Sequence, residues 1–123
     1  MKLLTPEDRS LNDLMVDIRQ FMEDRDWSGF HRPTALAISI AIETGELLEL
    51  FQWRSDAEVE TSLQSEKYLQ ALSDEIADVL IYLLRLTDVT GINPTEAILN
   101  KMKKNRAKYP AKEWRGRAPS KIT

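Results

Sequence analysis

The 123-residue chain contains no cysteine, a single histidine at position 31, only 4 glycines and 5 prolines, and 7% aromatic residues. Without cysteine there is no disulfide framework, no thiolate zinc site and no cysteine nucleophile. With one histidine there is no multi-histidine metal centre, so any metal must be held mainly by oxygen. No segment approaches about 18 uninterrupted apolar residues, and no basic stretch leads into an apolar core and cleavage site. The expectation is therefore a cytoplasmic protein, neither secreted nor membrane-bound. Alternating strand patterns of useful length, internal repeats and low-complexity tracts are also missing.

What is present is 42% hydrophobic and 30% charged residues, a balance that predicts one compact soluble domain over 1–123. Its core is expected at about 6–110, followed by a basic tail over 111–123. A chain of this size hides only about two thirds of its unfolded surface on folding, so helices with wide apolar faces call for a second subunit. The net charge of −3 conceals an asymmetry: residues 1–99 carry 8 basic against 19 acidic side chains, and residues 100–123 carry 9 against 1. Such a tail is either a solvated counterweight to an acidic body or a strip for a polyanionic ligand. The acidic body would repel a nucleic-acid backbone, so no nucleic-acid partner is expected.

The helices have readable ends. Thr5-Pro6-Glu7-Asp8 combines a capping residue, a proline suited to the first helical position and two acids, and predicts a helix from there to about Arg25. Leu11, Leu14, Met15, Ile18, Phe21 and Met22 form its apolar face. A loop with two aromatics and the histidine follows, from Asp26 to Pro33. From Thr34 to Trp53 the chain is apolar on nearly all sides, which predicts a central helix. A polar connection with a short helix around 57–63 leads to a second strongly apolar helix, about Glu66 to Thr90, which Gly91 stops. Asn93-Pro94-Thr95-Glu96 opens a fourth helix, ending near Lys108 before Pro110. The prediction is an all-α protein built on four main helices.

Two acidic pairs stand in helices otherwise suited to a core. Glu43 and Glu46 are three apart, as are Glu75 and Asp78, so each pair projects from one helical face. If the two helices pack side by side, four carboxylates converge. Unpaired in a buried seam they would cost several kcal/mol, so they must be protonated, matched by cations or bound to metal; the competing reading is that these faces reach solvent. Oxygen ligation suits hard cations, Mg²⁺ first and Mn²⁺ as its substitute. A di-iron bundle would need a Glu-x-x-His pair, and here the third residue after Glu43 is Glu46 and after Glu75 is Asp78. Magnesium held by carboxylates commonly completes its shell with water and substrate phosphate, which links the acidic cluster to the basic end of the chain and suggests a nucleotide enzyme.

These residues resemble a known family. Glu43-Thr44-Gly45-Glu46 followed by Glu75-Ile76-Ala77-Asp78 is similar to the ExxE…ExxD signature of the MazG-like, all-α nucleoside triphosphate pyrophosphohydrolases. The agreement extends over Glu43 to Trp53, Asp74 to Leu83, and the segment Lys101-Met102-x-x-Asn105-Arg106-x-Lys108-Tyr109-Pro110. With Asp26-Trp27 and Phe30-His31-x-Pro33 upstream, the chain looks most like the dCTP pyrophosphatase branch, over about residues 18 to 115.

The resemblance implies a four-helix bundle completed as a homodimer or homotetramer. It also implies Mg²⁺-dependent cleavage between the α and β phosphates of dCTP-like, including modified, nucleotides, as nucleotide-pool house-cleaning. By match of position it implies that Glu43, Glu46, Glu75 and Asp78 ligate metal, with Glu43 or Glu46 also orienting or deprotonating the attacking water. On the same basis Lys101, Asn105 and Lys108 contact phosphate, and Trp27, His31, Trp53 and Tyr82 surround the base; a base pocket lined partly by a second subunit is a separate expectation. Glu49 is either a further ligand or a partner to Lys or Arg. Two other readings compete: a non-catalytic helical protein whose carboxylates pair with Arg85 or the basic tail across a subunit interface, and a neighbouring dUTP or phosphoribosyl-ATP pyrophosphatase.

Overall fold

Two capping boxes compete at the start of the chain, and the second begins the helix. In the computed structural model, which describes residues 5–120, Thr5 caps only a 3₁₀ turn over Pro6–Asp8, its hydroxyl donating to Asp8 at 2.8 Å. The expected helix start at Thr5 is thereby corrected. Ser10 caps α1 (Leu11–Asp24), with the Asp13 N–H donating to Ser10 Oγ at 3.1 Å and the Ser10 N–H donating to Asp13 at 2.9 Å. Hydrogen bonds from the backbone and then the side chain of Ser10 to the Asp13 carboxylate stabilise its charged form and lower its pKa.

After a 3₁₀ turn at Ser28–Phe30 come α2 (Pro33–Glu49), α3 (Asp56–Ser62), α4 (Glu66–Thr90), α5 (Pro94–Lys108) and the short α6 (Ala111–Trp114). Among the described residues there is no strand, and none of the helices is long and apolar enough to cross a membrane. Gly91 ends α4 in the left-handed conformation, φ 73°, and Asn93 caps α5 by accepting from the Glu96 N–H at 3.1 Å. Tyr109 packs edge-on against Trp114, ring centroids 4.9 Å apart, and so folds the first part of the basic tail onto the end of α5. The last residues of that tail, 121–123, lie outside the described residues.

The helix α2 stops four residues before the predicted end at Trp53. Leu50 leaves the helix and its carbonyl accepts from the Tyr68 hydroxyl of α4 at 2.8 Å, which satisfies one of the terminal carbonyls. Trp53 then turns the chain in the left-handed conformation, φ 65°, a state that is strained for a bulky L-residue.

The pairing of α2 with α4 is the structural centre, and α1 packs on α4 with α5 alongside α1. Met22, Leu36, Tyr68 and Leu84 are buried there. The rest of the apolar surface of α2 and α4 is uncovered: Ile38, Ile42, Leu80 and Leu83 are all exposed, and a groove of about 420 Å³ runs along Leu69, Leu72, Ile76 and Leu80. A central helix in sequence is thus half bare in the single chain, a larger apolar area than a lone soluble subunit usually shows.

One part-buried ionic network ties the layers together. Asp88 of α4 accepts from Arg19 Nε at 2.8 Å and Nη2 at 2.6 Å, and from Arg85 Nη1 at 3.0 Å. The Arg19 hydrogen bond is the main cause that holds the Asp88 carboxyl below its ordinary range. A depressed carboxylate pKa contributes stability above the unfolded-state value, and that stability is lost as pH falls through the folded-state value. Asp88→Ala leaves the Arg85 charge buried without its carboxylate, and is expected to cost roughly 3 kcal/mol in urea denaturation at pH 7, with the cost shrinking below pH 4.

Candidate functional site

The ridge where α2 crosses α4 brings together side chains from both acidic pairs. Glu43, Glu75 and Asp78 each offer a carboxylate oxygen within 4.8 Å of the others. Oε2 of Glu43 and Oε2 of Glu75 are both sealed from solvent and without a hydrogen-bond partner. Glu46 is exposed and adjoins the three; its hydrogen bonding and charge contribute to raising both Glu43 and Glu75. Desolvation is the leading cause of both upward shifts, followed for Glu43 by Glu46 and for Glu75 by the charges of Glu46 and Asp78. Glu49, one turn further on, is exposed and stands outside the cluster.

Orphaned carboxylate oxygens crowded against one another want a cation. The ion pairs among the described residues are Arg19–Asp88 and Arg85–Asp88, and neither engages the cluster. Arg85, a candidate from sequence for neutralising these acids, is held instead by Asp88 and His31 within the chain. The donor set is oxygen alone, on two rigid helices, and it fits a hard divalent cation.

The other candidate residues are less assembled. His31 and Tyr82 pack edge-on, ring centroids 6.5 Å apart. Trp27 packs edge-on with Phe21 at 5.9 Å, and Phe21 lines a cavity of about 410 Å³ between α1 and α4 that includes none of Glu43, Glu46, Glu75 and Asp78. Trp53 is 92% exposed and touches neither Trp27 nor His31 in any aromatic contact among the described residues. Lys101, Asn105 and Lys108 share one face of α5, with both lysines exposed, but α5 packs on α1 and no ion pair among the described residues joins it to the carboxylates. A single chain therefore gathers the carboxylate cluster and pairs His31 with Tyr82, and among the described residues no ion pair links the α5 lysines to that cluster.

A family model described as "MazG-like family" matches residues 38–118, a span that contains all four acids and the lysines of α5. The chain belongs to the MazG-like family. It is 40% identical over 109 residues to rat dCTP pyrophosphatase 1 and 40% identical over 102 residues to the human protein of that name. Those alignments cover 89% and 83% of this chain, and 64% and 60% of the relatives, so the chain spans somewhat under two thirds of their length. The crystal structure of a pyrophosphatase from Archaeoglobus fulgidus DSM 4304 is 46% identical, with a TM-score of 0.75, covering 89% of this chain and 99% of that one.

In this MazG-like chain the sequence pointed to Arg85 only as a partner for the acidic pairs, and its place beside the aromatic set was not foreseen. Arg85, 5% exposed, donates from Nε to His31 Nδ1 at 3.1 Å and reaches Ser28 Oγ at 3.5 Å, tying the loop after α1 to α4. Burial, then the charge of Arg85, holds the His31 pKa below its ordinary value. The available signal was a pair of opposite charges, Arg85 and Asp88, spaced i,i+3 in the otherwise apolar second half of α4.

Proposed function

We propose that this MazG-like protein is a Mg²⁺-dependent nucleoside triphosphate pyrophosphohydrolase that cleaves dCTP-like nucleotides between the α and β phosphates, with Mn²⁺ as a substitute metal. The observation that carries the reading is the cradle of Glu43, Glu75 and Asp78, with two sealed, partnerless oxygens and no basic partner among the described residues. The dCTP pyrophosphatase relatives support the base and the pyrophosphatase relative supports the reaction class.

Glu43, Glu46, Glu75 and Asp78 hold the metal. Bound there, Mg²⁺ would neutralise phosphate charge and make a coordinated water more acidic. Glu43 or Glu46 orients the attacking water and takes its proton. The water oxygen forms a bond to the α phosphorus, the bond from that phosphorus to the α–β bridging oxygen breaks, and the products are a nucleoside monophosphate and pyrophosphate. Lys101, Asn105 and Lys108 bind the phosphates, and Trp27, His31, Trp53 and Tyr82 surround the base.

A second copy of the chain completes this site. The uncovered apolar faces of α2 and α4 provide the contact, and the bare Trp53 and the lack of any ion pair between the α5 lysines and the carboxylates among the described residues are what a shared site would leave in one subunit. The protein is thus a homo-oligomer, one all-α domain per chain, acting on the cytoplasmic nucleotide pool. The direct test is turnover of dCTP with and without Mg²⁺, alongside a thermal-shift titration with the metal. Metal-dependent turnover and a rise in Tm support the reading, and the lack of both removes it.

Trp53 adds an independent check, because its left-handed backbone is a conformation glycine adopts without strain. Trp53→Gly is expected to stabilise the subunit by about 1 kcal/mol in denaturant while raising the KM for dCTP about tenfold. A variant with unchanged KM would remove Trp53 from the base pocket.

A further inference from the structure

Arg85 is the only buried charged residue among the described residues, and its guanidinium has no freedom left. Nη1 donates to Asp88 Oδ2 at 3.0 Å, and Asp88 is in turn gripped by both Nε and Nη2 of Arg19. Nη2 reaches toward Ser28 Oγ at 3.5 Å. The third direction, Nε–H, is aimed at His31 Nδ1, 3.1 Å away. His31 is fixed from its own side as well: its backbone N–H donates to the Ser28 carbonyl at 3.1 Å at the end of the 3₁₀ turn, and Tyr82 packs edge-on against its ring.

A guanidinium offers five N–H donors, no acceptor, and stays protonated at any working pH. A proton on His31 Nδ1 would therefore point N–H at N–H. Both the imidazolium and the Nδ1–H tautomer are disfavoured, which leaves the neutral ring with its proton on Nε2. We propose that Arg85 is a positioning residue for nucleotide selection: by donating to His31 Nδ1 it fixes the Nε2–H tautomer, so that His31 meets its ligand purely as a hydrogen-bond donor. The ligand group must then be an acceptor. In a cytosine base those are N3 and O2; uracil shares O2 but presents an N3–H, so a fixed donor aimed at N3 separates the two.

Placing that ligand as a nucleotide base rests on the function proposed above; the Arg85–His31 geometry does not. The experiment separates the two. His31 is the sole histidine, so its ring nitrogens give unambiguous ¹⁵N resonances. In the wild-type protein Nδ1 is expected to be unprotonated and Nε2 protonated, and Arg85→Met, which lacks any donor, is expected to move both toward an averaged tautomer. Arg85→Gln restores one N–H donor and is expected to restore the wild-type pattern. A protonated Nδ1 in the wild type overturns the proposal.

In turnover, Arg85→Met is expected to raise the KM for dCTP about 5- to 10-fold with kcat within about 2-fold, the size of one lost hydrogen bond, and to shrink the preference for dCTP over dUTP. Arg85→Gln recovers most of that loss. In a His31→Ala background Arg85→Met should add less than about 2-fold, because the two act as a unit. A full additional loss in that background shows a merely structural arginine and overturns the proposal. An equal loss for dCTP and dUTP places the Nε2–H on an acceptor the two nucleotides share, O2, sugar or phosphate, and overturns the selection of the base. Should Arg85→Met fail to fold, the wild-type ¹⁵N pattern and the Arg85→Gln kinetics still decide. If the wild-type protein turns over no nucleoside triphosphate, the proposed function and the base assignment fall together, while the ¹⁵N result still decides the Arg85–His31 contact.

Discussion

Glu75→Gln is expected to lower Mg²⁺-dependent turnover by about 10³-fold while leaving the metal-free protein as stable as the wild type or more so. The two halves of that result have one cause. Glu75 and Glu43 sit above the ordinary carboxylate range, chiefly through desolvation, with the neighbouring acids adding to it. A carboxylate with a raised folded-state pKa contributes stability that is fully present below its unfolded value and is lost as pH rises through the folded value. At pH 7, without metal, the cluster therefore works against the fold, and removing one charge relieves it. Metal ligation needs the same groups deprotonated, so affinity for Mg²⁺ should weaken as the solution is acidified toward pH 5. Circular dichroism melts in EDTA and in Mg²⁺ provide the check: the wild type gains Tm on metal addition and Glu75→Gln gains little. Retained turnover in Glu75→Gln would remove this residue from the site.

Ile38→Arg is expected to be harmless to the helix and ruinous to activity. Ile38 is 56% exposed on α2 in the single chain, and arginine is a good helix former, so a free subunit would tolerate the change within about 0.5 kcal/mol. If that face is buried against a second copy, the new charge is desolvated without a partner and the assembly separates. Because the account has α5 of one copy serving the carboxylates of the other, the separated subunit should lose about 10²-fold or more in turnover. Sedimentation and a turnover assay on the same sample read both effects. A wild-type monomer, or an Ile38→Arg monomer with full activity, would contradict the shared site.

Much of this architecture is legible in the residues because its signals are local. Gly91 and Asn93-Pro94 mark the turn from α4 to α5 through backbone chemistry that spans only a few positions. The acidic pairs stand out for a similar reason, since charge at a spacing of three within an apolar helix requires an explanation. The first helix was harder to place. Thr5 and Ser10 both head capping boxes, and the one followed directly by the apolar repeat prevailed, with Asp13 taking the place usually held by Glu or Gln. The end of α2 was hidden because Leu50, Phe51 and Trp53 continue the apolar pattern, and a left-handed tryptophan carries none of the signal a glycine would. The link from Arg19 through Asp88 and Arg85 to His31 joins positions up to 69 residues apart, which no periodicity reveals. Trp53 and the α5 lysines have their sequence pattern, but among the described residues Trp53 is 92% exposed and the lysines make no ion pair with the carboxylates.

The account turns on which phosphoanhydride bond is cut. Incubation with Mg²⁺ and a panel of the common nucleoside triphosphates plus 5-methyl-dCTP, with the products resolved, tests it most directly. The account predicts nucleoside monophosphate and pyrophosphate, fastest from the cytosine nucleotides and abolished by EDTA. Diphosphate and phosphate, or no metal-dependent product from any member of the panel, would contradict it.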